Sequence, residues 1–67
     1  MVKIGQRIRE LRNDCGLTQK ELADKIGAAQ NTISQYENGT AKASIEIIVR
    51  LAEALNTTTD YLLCGRE

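Results

Sequence analysis

Between Gly27 and Gly39 the chain reads GAAQNTISQYENG, with Gln30, Asn31, Thr32, Ser34 and Gln35 inside six positions, one acid, Glu37, and neither lysine nor arginine. A carboxamide sets a donor beside an acceptor, and a hydroxyl serves as either, so the chemistry this run offers is recognition by hydrogen bonds. Catalysis has little to work with. The sequence holds no histidine and no phosphate-binding loop, and Cys15 and Cys64 are far apart, show no metal-ligand spacing and have no base near them in sequence. No enzyme activity, cofactor, metal or small-molecule ligand is therefore expected.

A polar run of helical length needs a scaffold, and 67 residues have room for one core, so residues 1–67 are expected to form a single domain. The two cysteines are too sparse for a secreted disulfide scaffold and read as free thiols in a reducing cytosol. MVKIGQRIRELRN at the N-terminus is charged throughout and has no apolar signal region, and no stretch approaches a membrane span. A soluble, cytoplasmic protein is expected. Nine basic and nine acidic side chains give zero formal charge, which weighs mildly against a nucleic-acid partner. Distribution partly offsets this: up to Lys42 seven cations face five acids, and beyond it Arg50 and Arg66 face four.

Proline is absent and apolar residues recur at spacings of three and four, which predicts an all-α chain. Ile4, Ile8, Leu11 and Cys15 form a stripe on a first helix over about residues 4–15, stopped by Gly16. Thr18 with Glu21 reads as a capping box for a second helix of about two turns, with Leu22, Ala23 and Ile26 inward and Gly27 ending it. Ile33 and Tyr36, with Ala28 or Ala29 a turn earlier, mark a third helix that ends at Asn38–Gly39. Ser44 caps a fourth, whose stripe is Ile45, Ile48, Leu51, Ala52 and Leu55, leaving Ile47 and Val49 off it as a shallow groove or partner surface. Thr58 and Asp60 open a short fifth helix, where Tyr61, Leu62 and Leu63 are expected to close over the core.

Two short helices joined through one glycine suit a helix-turn-helix over about residues 18–38: Ala23 is small enough for close crossing, Gly27 supplies the turn, and Ile33 anchors the third helix. With these residues in place the sequence resembles the Cro and phage-repressor type of helix-turn-helix domain, also called the xenobiotic-response-element family. The resemblance covers nearly the whole chain and rests on IGQRIRELR, GLTQKELADKIG, NTISQYENG, IEIIVRLAEALN and DYLL in the family's order. It implies a compact, lambda-repressor-like bundle of five short helices, with the third in the DNA major groove and a twofold homodimer on a pseudo-palindromic operator.

By the same resemblance Gln30, Asn31, Ser34 and Gln35 match base-reading positions, and Gln19, Asn38, Thr40 and Lys42 match phosphate-approaching ones. Arg12 and Glu37 match a partly buried ion pair tying the first helix to the end of the third. Lys3, Arg7 and Arg9 are able to approach phosphate, but read rather as an ordinary solvated face. The expected function is a double-stranded-DNA-binding transcriptional regulator that represses by occupying its operator, with adenine preferred opposite Gln30 and Gln35, since a carboxamide pairs bidentately with adenine N6 and N7. A competing reading is an antitoxin-like or adaptor module whose partner is another protein, suggested by the zero net charge and by Ile47 and Val49.

Three departures from the family pattern carry expectations. Ala29 stands where serine or threonine caps the third helix, so that helix start should be looser. TAKAS after the third helix offers only Lys42, so phosphate affinity should be modest. Asn56 and Thr57 replace a glycine and an apolar residue, so the turn into the fifth helix should pack less tightly.

Overall fold

The computed structural model describes residues 3–65, and these hold five helices and no strand: α1 (Ile4–Asp14), α2 (Gln19–Ile26), α3 (Gln30–Asn38), α4 (Ile45–Ala54) and α5 (Thr59–Cys64). Hydroxyl caps start three of them. The capping box at α2 is complete, with Glu21 N–H donating to Thr18 Oγ1 at 3.1 Å and Thr18 N–H donating to Glu21 Oε1 at 2.8 Å. Ser44 and Thr58 accept from Ile47 and Tyr61 N–H in the same way.

The ends of α1 to α4 share one device, a backbone bond spanning six residues around a left-handed residue. Leu17 N–H reaches Arg12 O, Ala28 N–H reaches Ala23 O, Thr40 N–H reaches Gln35 O and Thr57 N–H reaches Ala52 O, at 2.9–3.0 Å. Glycine holds the left-handed position in the first three, and Asn56 holds it in the fourth at φ +58. The expectation of a loosened turn before α5 is therefore corrected: asparagine tolerates this conformation better than other side chains, and the closing bond is intact.

α3 lies on α1 and α2, α4 lies on α2, and α5 closes the bundle against α1 and α4. Ile8, Leu22, Ile33, Leu51, Leu55 and Leu62 fill the centre, at most 2% exposed. Each such side chain contributes about 1.5–3 kcal/mol over leaving it in water.

Four apolar placements differ from the sequence expectation. Ile45, on the first turn of α4 where no neighbouring helix covers it, is 81% exposed, while Ile47 flanks the stripe and packs against the core. Leu63 points outward on α5, and Cys15, at the very end of α1, is exposed with its thiol donating to Leu55 O at 3.6 Å. Arg7 is not on a solvated face. It is buried, and its Nε and Nη2 donate to Leu62 O at 2.9 Å and Leu63 O at 3.2 Å, so a cation on α1 satisfies carbonyls at the C-terminal end of α5. Among the described residues no helix is long and apolar enough to cross a membrane.

Candidate nucleic-acid interface

α2 and α3 meet through a turn that Ala23 and Gly27 make short. Ala23 is 1% exposed between the helices, and Gly27, at φ +73, reverses the chain where a side chain would be strained. Ala29 then enters α3 in an extended conformation with no side-chain cap, so the first turn of α3 lacks the hydroxyl bond that starts α2, α4 and α5.

Two features pin α3 from behind. Ile33 is fully buried, and α1 approaches so closely at Gly5 that an added Cβ would collide with the Tyr36 and Glu37 carbonyls, 2.5 Å from the Glu37 oxygen. Its outward face then carries Gln30, Asn31 and Gln35 exposed and Ser34 half-buried. Their spacing of i, i+1, i+4 and i+5 sets all four on one side of the helix.

The buried end of α3 is organised around Glu37, whose side chain is fully enclosed. Arg12 Nε donates to Oε2 at 2.6 Å and Arg12 Nη2 to Oε1 at 3.2 Å, a two-pronged pair. Oε1 also accepts from Gln19 Nε2 at 3.1 Å and from Arg9 Nε at 3.4 Å. Burial by itself raises the pKa of this carboxyl, but hydrogen bonds from Arg12, Gln19 and Arg9 and the Arg12 charge outweigh it and hold the pKa below the usual glutamate value. Arg12 further donates to Leu17 O at 2.9 Å, so one guanidinium ties α3 to the turn between α1 and α2.

The remaining candidates divide. Gln19 is half-buried and spends an amide N–H on Glu37, while Asn38 accepts from Arg9 Nη2 at 3.0 Å and donates to Ser34 Oγ at 3.4 Å. Gln19, Arg9, Arg12, Glu37, Asn38 and Ser34 thus form one connected set. Thr40 donates its hydroxyl to Gln35 O at 3.4 Å at the end of α3. Lys42 is exposed and forms no ion pair among the described residues, and Gln30, Asn31 and Gln35 likewise leave their side chains unengaged by the protein. The outer face is therefore free to bind, and the inner face is occupied in holding it.

Residues 8–62 match the helix-turn-helix family model. The chain belongs to the helix-turn-helix family. The domain is 36% identical over 62 residues to the transcriptional regulator ImmR of Bacillus subtilis strain 168, covering 92% of this chain and 49% of that protein. It is 35% identical over 65 residues to RstR, a cryptic phage CTXphi transcriptional repressor of Vibrio cholerae, covering 97% of this chain and 57% of that protein. This helix-turn-helix domain spans about half the length of these curated relatives. Among solved structures it is similar to the P22 c2 repressor in complex with a synthetic operator, with a TM-score of 0.94 and 32% identity over 98% of this chain and 100% of that one.

Sequence reasoning missed Gly5, Arg7 and the part played by Arg9. Gly5 had a signal: a glycine one residue into a helix, beside the buried stripe, marks close approach of another backbone. Arg7 had one too, since it stands four residues before Leu11 and so on the inward side of α1. Arg9 had none, because its partners lie 28 and 29 residues away.

Proposed function

We propose that this domain is a sequence-specific double-stranded-DNA-binding transcriptional regulator, working in the cytoplasm, that represses by occupying an operator. α3 enters the major groove and presents Gln30, Asn31, Ser34 and Gln35 to base edges, with adenine favoured opposite Gln30 and Gln35. Gln19, Thr40, Lys42 and the remaining N–H of Asn38 approach phosphates. Two copies bind the two half-sites of a pseudo-palindrome, meeting through Tyr61, Leu63 and the flank of α4 that carries Ile45 and Val49.

One observation carries the reading: a rigidly backed helix displays four uncharged hydrogen-bonding side chains on one face, in a fold similar to that of a repressor whose structure includes operator DNA. A protein-only adaptor would have no need to leave that face polar and unengaged. Gel filtration of the pure protein with and without random duplex DNA at low salt tests the class of partner. Co-elution with the duplex is expected, and elution of the two apart would favour a protein partner.

A further inference from the structure

α5 is six residues long and Leu62 is its one buried residue, so apolar packing, which is non-directional, leaves the helix free to tilt about a single anchor. Its start is held by the turn from α4. Its end is held by Arg7, whose guanidinium reaches across from α1 to donate to Leu62 O at 2.9 Å and to Leu63 O at 3.2 Å. An added Cβ at Gly65, the residue that ends α5, would stand 3.3 Å from Arg7 Nη1. Hydrogen bonds are directional, so two of them on consecutive carbonyls fix where the end of α5 points. One of those carbonyls belongs to Leu63, whose side chain is exposed.

The same stretch of α1 braces α3. Gly5 lies against the Tyr36 and Glu37 carbonyls, and Arg9 bonds Glu37 and Asn38. Residues 5 and 9 share one face of a helix and residue 7 lies on the opposite one, so α3 and α5 are tied to opposite sides of α1 within five residues.

On the reading that α3 takes the bases and that two copies meet through Leu63, we propose that Arg7 is a positioning residue that fixes which half-site spacing the dimer accepts. Arg7 is buried and is not itself a DNA contact. By holding Leu63 in one direction relative to α3, it sets the distance and the angle between the two reading helices of a dimer. One added base pair moves a half-site by about 3.4 Å and turns it by about 34° round the duplex. A stiff link between the dimer face and α3 rejects that site, and a hinged link follows it.

The test is the affinity of the full chain for duplexes carrying two copies of its selected half-site, at the preferred spacing and at one base pair more or fewer. R7K keeps the buried charge but loses the planar fork that bonds two carbonyls at once, and G65A presses on the same guanidinium from α5. Wild type should prefer one spacing, and R7K and G65A should each cut that preference by ~fivefold, the size of one hydrogen bond, with base preference inside the half-site unchanged. Should circular dichroism show R7K unfolded, G65A decides by the same ratio.

Variants that lose affinity equally at every spacing overturn the proposal, because a merely structural arginine weakens the fold without changing the ratio. A wild-type protein that enriches a half-site but accepts all spacings alike overturns the dimer reading, and this proposal with it, while leaving α3 as the reader. Enrichment of no half-site at all overturns the DNA reading itself.

Discussion

Glu37 is the residue on which the site depends, because one enclosed carboxylate accepts from Arg9, Arg12 and Gln19 at once. Its pKa is lower in the folded chain than in the unfolded one, so the unfolded state takes up the proton first as pH falls. The stabilisation it gives is complete above the unfolded value of about 4.3 and is lost as pH drops from there through the lower folded value. Urea unfolding of wild type and E37Q should show the largest gap near neutral pH, closing below about pH 4, and a gap that does not change with pH would contradict this assignment. R12A removes the closest partner and leaves the buried charge under-compensated, at an expected cost of ~3 kcal/mol. Measurement of R12A by the same unfolding assay checks that figure, and a loss indistinguishable from a surface substitution would mean the pair contributes little.

At the scale of elements, two backbone details decide how firmly α3 is presented. Gly5 lets α1 ride against the Tyr36 and Glu37 carbonyls, so G5A must push the helices apart and should cost about 1–3 kcal/mol, with weaker DNA binding because the reading helix moves. Ala29 has the extended geometry of a cap but no oxygen, φ −84 and ψ 152, close to Ser44 and Thr18. A29S should therefore stabilise the domain by ~0.5–2 kcal/mol in chemical denaturation, and an unchanged midpoint would show that α3 gains nothing from a cap.

These elements were legible to different degrees for physical reasons. Thr18 with Glu21, Ser44, Thr58 and the helix-ending glycines act on neighbours within six residues, so their roles are written locally. The polar face of α3 was legible through helical spacing. Ile45 and Leu63 were not, since each depends on which distant element covers it or fails to, and the signals at Gly5 and Arg7 mark an inward position without saying which element packs there. The Arg9–Asn38–Ser34 chain of hydrogen bonds exists only through the packing of α1 on α3.

For the whole molecule, zero net charge becomes a statement about how DNA is held. Of the side chains proposed to approach phosphate only Lys42 is a cation, while Arg7, Arg9 and Arg12 are engaged within the fold. Affinity should fall gently with salt, and a log–log slope as steep as about −10 would contradict so sparing a use of cations. The exposed Ile45, Val49 and Leu63 supply apolar surface for a second copy. Sedimentation of the reduced protein at increasing concentration should show self-association that a charged substitution such as L63E weakens, and a monomer at all concentrations would place dimer formation on the DNA alone.

The central claim is that the uncharged face of α3 reads base pairs. In vitro binding-site selection with wild type, Q30A and Q35A tests it most directly. The predicted result is a pseudo-palindromic site with an A·T pair opposite each glutamine, where each alanine variant relaxes one position per half-site at a cost of ~1–3 kcal/mol. Selection that returned the same tolerance at every position for all three proteins would contradict it.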